Sequence, residues 1–172
     1  MKKYVFALSV LSAAVLSAHA ADGTINFTGS VIDPACTATA SNANVAMGSI
    51  SKSALSSVGA TSQGKPLAIT LSSCPAAAKT ATITFSGTPD TANSNLLQVV
   101  AADSNTAATG IGIALYEENG STLIPLNTAS ASKTLSATND TVYNFIAKYM
   151  ATSATITGGD ANSSVSYTIN YN

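Results

Sequence analysis

The sequence contains no arginine and no tryptophan, and its one histidine, His19, sits in an N-terminal leader. Only 9% of its residues are charged. Each shortage closes off a class of function. Without arginine the cations are seven lysines, two of them in the leader and the rest scattered at Lys52, Lys65, Lys79, Lys133 and Lys148. No basic patch can be assembled from these, and nucleic acid is excluded as a partner. Without histidine beyond the leader, the chain lacks the commonest general base and the commonest transition-metal ligand, so no metal or cofactor is expected. Its many serines have no partner for a Ser-His-Asp arrangement. Cysteine is limited to Cys36 and Cys74. In an exported chain such an even pair reads as a disulfide rather than a metal site or a nucleophile.

One long apolar run exists, and it is at the start. Lys2 and Lys3 precede an apolar core from Tyr4 to Leu16, followed by Ala18-His19-Ala20 with small residues at −3 and −1. This is the pattern of a secretory signal peptide, too short to span a membrane as a helix, with cleavage expected after Ala20. Residues 21–172 then carry five lysines against eight acidic residues, a formal charge of −3. A chain of that length is one domain able to bury a sizeable core.

Almost everything that follows alternates with the period of two that marks half-buried strands. Leu67, Ile69 and Leu71 alternate with small residues, as do Ala81, Ile83 and Phe85, and Tyr143, Phe145, Ala147 and Tyr149. Ile111, Ile113 and Leu115 run into Glu117-Glu118-Asn119-Gly120, after which Ile124 and Leu126 return; Asn-Gly between apolar runs signals a hairpin. No segment shows helical periodicity, although the Ala- and Ser-rich stretch from Ser51 to Ala60 allows one short turn. About seven short strands joined by polar turns predict an all-β, immunoglobulin-like antiparallel sandwich, without the intervening tryptophan of antibody domains.

Motifs that imitate catalytic ones fail on inspection. Glu117 and Glu118 are adjacent strand residues pointing to opposite faces, so they cannot flank one substrate. "GIGIAL" at 110–115 lacks the third glycine and the following helix of a dinucleotide site. Ser62 to Lys65 and Ser130 to Lys133 have S-x-x-K spacing without the companion motifs. The chain is read as not an enzyme, with no small-molecule substrate.

Both ends carry strands that a closed sandwich does not explain. "GTINFTGSV" places Gly23, Ile25, Phe27, Gly29 and Val31 on one face, before the first cysteine. The final segment alternates Val165, Tyr167, Ile169 and Tyr171 and stops at Asn172, where an immunoglobulin sandwich would add one more strand. A bare edge beside an apolar groove aggregates unless something fills it. Pattern alone does not say whether the first strand pairs within its own sheet or elsewhere.

The order of these motifs, together with "NFIAKYMAT" at 144–152 and "GGDANSSVSYTINYN" at 158–172, resembles the structural subunits of chaperone–usher pili, the type 1 fimbrial family. The resemblance covers the whole chain after the leader. It implies an incomplete sandwich lacking its last strand, with residues 21–35 as a donor-strand extension and residues 36–172 as the pilin domain. Gly23, Ile25, Phe27, Gly29 and Val31 would enter a neighbour's groove beside Gly159, Val165, Tyr167, Ile169, Tyr171 and Asn172, a form of strand addition. It also implies a periplasmic chaperone that fills the groove first and holds the Asn172 carboxylate, an outer-membrane usher, and a fimbrium on the bacterial surface that supports adhesion. The alternative is a minor adaptor or a carbohydrate-binding adhesin subunit of the same kind of organelle; the lack of tryptophan and of room for a lectin domain weighs against the adhesin.

Overall fold

The computed structural model describes residues 35–172 apart from Asn42 and Ser104. The leader and the expected donor residues Gly23, Ile25, Phe27, Gly29 and Val31 lie outside the described residues. Eight strands form two antiparallel sheets: β1 (Thr37–Ser41), β2 (Lys65–Ser72), β3 (Thr80–Ser86), β4 (Leu97–Gln98), β5 (Ile111–Glu117), β6 (Lys133–Thr134), β7 (Thr141–Ala151) and β8 (Ser166–Tyr171). The larger sheet has the order β1-β2-β7-β5-β4 and the smaller β6-β3-β8. A single 3-10 turn, Lys52–Leu55, falls inside the stretch where a short turn was allowed, with the Ser51 hydroxyl accepting from the Ser53 amide.

Alternation decides which side chains meet between the sheets. Ile69 and Leu71 from β2, Ile83 and Phe85 from β3, and Tyr143 and Phe145 from β7 are each at most 1% exposed. The rings of Phe85 and Phe145 join the two sheets edge to face, with centroids 5.0 Å apart. The Tyr143 hydroxyl donates to the Ala81 carbonyl and accepts from the Lys133 amide at 3.2 Å, tying β7 to both β3 and β6. Burial pushes this phenol above its usual pKa.

Cys36 and Cys74 form the expected disulfide. It staples one end of the β1–β2 pair, where Thr37 lies opposite Ser72. The hairpin after β5 also forms: Glu117 donates to Thr122 and Ile124 donates to Leu115, around Gly120 at φ +64°. The return segment is not a strand, because Pro125 has no amide to continue the ladder; Leu126 turns away to bond Asn95 instead. β5 itself is buried on both faces, since Ala114 and Tyr116 pack with Leu96 on the outer side. Glu117 and Glu118 serve separate partners, the Ala131 amide at 2.7 Å and the Asn144 side chain at 2.9 Å.

Candidate functional site

Among the described residues, the sandwich is open along one side between its two sheets. A cleft of 790 Å³ runs there, floored by core residues such as Ile69, Phe85, Ile111 and Ile113. One rim is the chain leading into β8 and the start of that strand, residues 156–167; the other is the segment after β1, residues 43–50.

On the first rim, β8 pairs with β3 in the register Ala81 to Tyr171 through Ser86 to Ser166. Thr80 and Asn172 exchange both backbone hydrogen bonds, each 2.9 Å. In an antiparallel ladder the residues that bond to one neighbour alternate with those that face the other side. The amides of Asn170, Thr168 and Ser166 therefore point to β3, and those of Tyr171, Ile169 and Tyr167 point to the opposite edge, where no described strand lies. The side chains of Tyr167, Ile169 and Tyr171 turn inward, half-buried against the core, while Ser166, Thr168 and Asn170 are exposed.

The second rim is irregular, with no regular secondary structure. Among the described residues its backbone amides and carbonyls find no hydrogen-bond partner. Val45, Met47 and Ile50 are half-buried, and Met47 and Ile50 lean on the core. Gly48 lies at φ +74°, the left-handed region that favours glycine. An apolar trough thus lies between two chains that each present main-chain polar groups without a partner among the described residues. Chemically, that arrangement accepts one more extended strand.

Of the expected acceptor residues, Gly159, Val165 and Tyr167 line the cleft, while Ile169, Tyr171 and Asn172 lie further along the chain and outside its lining. Val165 precedes β8 and is 36% exposed at the mouth of the cleft. Burial raises the Tyr171 pKa, and a hydrogen bond from the Cys36 backbone opposes that shift, so the end of β8 stands beside the start of β1. The Asn172 carbonyl accepts from the Lys79 amide at 3.0 Å and the Thr80 amide at 2.9 Å. Gly159 lies upstream of β8, flush against another stretch of backbone: a Cβ there would meet the Thr106 carbonyl oxygen at 2.4 Å. Its neighbour Gly158 has open space. Of the adjacent glycines, 159 is the one that packing requires.

Two features were missed from sequence. The 43–50 rim carries a weak alternating signal in Val45 and Met47, lost at Gly48. Asp160, half-buried, accepts from the Ala102 amide at 3.0 Å and from the Asn105 side chain at 2.9 Å. These bonds, the Asn105 one first, hold its carboxyl below the usual carboxylate range. No local pattern announces a contact between residues so far apart in the chain.

Comparison with known proteins agrees with this architecture. The family model described as "Fimbrial protein" matches residues 25–172. The chain is 39% identical to a probable major fimbrial subunit, LpfA, of Escherichia coli O157:H7, over 99% of this chain and 97% of that protein. It is 38% identical to the long polar fimbria protein A of Salmonella typhimurium, over 99% and 97% respectively. Among solved structures, a Burkholderia pseudomallei antigen and type I fimbria protein superimposes with a TM-score of 0.61 at 33% identity, covering 81% of this chain and 91% of that one. The P pilus rod subunit PapA shares the fold, with a TM-score of 0.65 at 19% identity, covering 81% of this chain and all of that one. The chain belongs to the fimbrial protein family and is a structural subunit of a surface fimbrium.

Proposed function

We propose that this subunit polymerises by donor-strand exchange, each copy lending its residues 21–35 to the cleft of a neighbour, after removal of a leader ending at Ala20. The observation that carries the reading is the pair of main-chain edges, β8 and residues 43–50, that find no partner among the described residues and border an apolar cleft. The donor runs antiparallel to β8. Cys36, from which each extension departs, stands beside Tyr171 at one pole of the domain. A parallel donor would bring two such poles together, whereas an antiparallel donor sets the pole of one copy against the Gly159 end of the next. That contact is heterologous, the head-to-tail kind from which open filaments are built.

The antiparallel register sets Gly23 by Tyr171, Ile25 by Ile169, Phe27 by Tyr167 and Gly29 by Val165. Val31 falls beyond the start of β8, against residues 159–163. Burying Ile25, Phe27 and Val31 contributes about 1.5–3 kcal/mol each, on top of a backbone ladder worth about 1 kcal/mol per bond. Gly29 suits a position where two backbones approach closely. Relatives described as a probable major fimbrial subunit and a major fimbrial subunit favour a repeated rod subunit over a minor adaptor. Before assembly, a periplasmic chaperone covers the cleft and grips the Asn172 end, and an outer-membrane usher receives the complex.

The test mixes chaperone-held subunit with a synthetic peptide of residues 21–35. Displacement of the chaperone into a complex that survives heat and detergent is expected, and a Phe27→Asp peptide should be inert. A wild-type peptide that displaces nothing rules out self-complementation.

A further inference from the structure

The donor face has five inward positions, but β8 and Val165 offer only four to lie beside, at 165, 167, 169 and 171. The fifth, Val31, must be received by the chain leading into β8. That chain, residues 156–163, is not part of a sheet; three bridges to residues 100–109 hold it. Thr157 pairs with Thr109 through backbone bonds of 3.4 and 3.3 Å, and Asn162 pairs with Val100 at 2.7 and 3.1 Å. Between them Asp160 donates to the Thr106 carbonyl at 2.9 Å and accepts from the Ala108 amide at 2.8 Å. Side chains add to the hold: the Thr109 and Thr157 hydroxyls share a hydrogen bond of 2.6 Å, and Asp160 reaches further along the partner chain. Its Oδ2 takes both the Ala102 amide and the Asn105 carboxamide, pinning the 102–105 turn to the rim. Gly159, Asp160 and Ala161 all line the cleft.

We propose that Asp160 is a positioning residue for strand capture: its carboxylate locks residues 156–163 onto residues 102–108 and so fixes the rim that receives the Val31 end of the donor. The inference rests on the strand-capture reading above. Asp160 touches the donor only through the rim it holds. Because one oxygen accepts both bonds, Asn at this position still serves, and Ala does not.

The test uses the subunit carrying Phe27→Asp in its own extension, so that its own segment does not compete, and two fluorescent peptides. The peptide of residues 21–35 reaches the rim; the peptide of residues 21–29 stops short of it. Asp160→Ala should release the long peptide about tenfold faster, the loss of roughly two neutral-strength hydrogen bonds, and leave release of the short one unchanged. Asp160→Asn should restore slow release of the long peptide. Should Asp160→Ala not fold, Asn105→Ala removes one of the two bonds and should move the long peptide alone, by less. Equal acceleration of both peptides, or of neither, overturns the assignment of Asp160. The Phe27→Asp subunit with Asp160 intact retaining neither peptide overturns strand capture itself, which separates the two failures.

Discussion

Gly159→Ala isolates a single packing contact at the rim of the cleft. The new Cβ would lie 2.4 Å from the Thr106 carbonyl oxygen and 2.6 Å from both the Ala107 carbonyl carbon and the Ala108 nitrogen. All three obstacles are main chain, so no side chain can swing aside. Ordinary contact begins near 3.4 Å, and the rim must therefore retreat by roughly an ångström, which stretches both backbone bonds between Asp160 and residues 106 and 108. Forced overpacking of this kind costs about 1–3 kcal/mol. Gly158→Ala provides the internal control, because nothing lies within 4 Å of its Cβ. Loss of unfolded-chain freedom should make that variant neutral or more stable, by up to about 1 kcal/mol. The assay is urea unfolding of the donor-peptide complex of each variant, with midpoints compared at unchanged slope. Matching midpoints for the two substitutions would refute the close approach at Gly159.

Other substitutions address the body of the domain and the clamp. Replacing both Cys36 and Cys74 with Ser opens a loop spanning a sequence separation of 38 residues, and denaturant unfolding should show a loss of about 4 kcal/mol on the chain-entropy model. Tyr143→Phe strands the buried Ala81 carbonyl and the Lys133 amide, and the same measurement should record a loss of about 1–3 kcal/mol. Asp160 titrates below the usual carboxylate range in the folded chain. Its hold is therefore complete above the unfolded carboxylate value of about 3.9 and is lost as pH falls through the lower folded value. Amide signals of Ala102 and Asn105 should stay constant from neutral pH to about 4 and shift only under more acidic conditions, and Asp160→Asn should abolish the response.

Strands whose apolar residues alternate were legible from sequence because one face of each must meet the other sheet. β2, β3, β7 and β8 all show this, and β5 does so on its inner face. β1 was not legible. Its sequence, Thr-Ala-Thr-Ala-Ser, has no large side chain, and it exists because Cys36 anchors it beside β2. β4 and β6 contain two residues each and owe their pairing to neighbours brought in by the fold. The inward face of β8 was readable from Tyr167, Ile169 and Tyr171. The rim at residues 43–50 was hidden because an irregular segment without internal hydrogen bonds has no period to enforce. The clamp at Asp160 was hidden for a different reason: its partners, Ala102 and Asn105, are joined to it only by the tertiary fold.

The geometry of β8 makes the edge it turns away from β3 measurable residue by residue. With Thr80 and Asn172 exchanging both bonds, strict alternation sends the amides of Ser166, Thr168 and Asn170 into β3 and those of Tyr167, Ile169 and Tyr171 toward the cleft. An unpaired strand amide at an edge exchanges its hydrogen with solvent far faster than one in a ladder. In the subunit carrying Phe27→Asp, without added peptide, the two sets should differ: slow exchange at 166, 168 and 170, fast exchange at 167, 169 and 171. Capture of the peptide of residues 21–35 should leave the first set nearly unchanged and slow the second. The alternation is the decisive feature. A donor that merely covered the cleft with apolar side chains would protect all six amides to a similar degree, through general exclusion of water. A donor shifted by one residue would turn its apolar face outward and fail to hold. Protection appearing at 167, 169 and 171 alone would establish β8 as the strand that receives the donor. Slow exchange at those three positions before any peptide is added would mean that their edge is already paired, and the open-cleft account of assembly would fall with it.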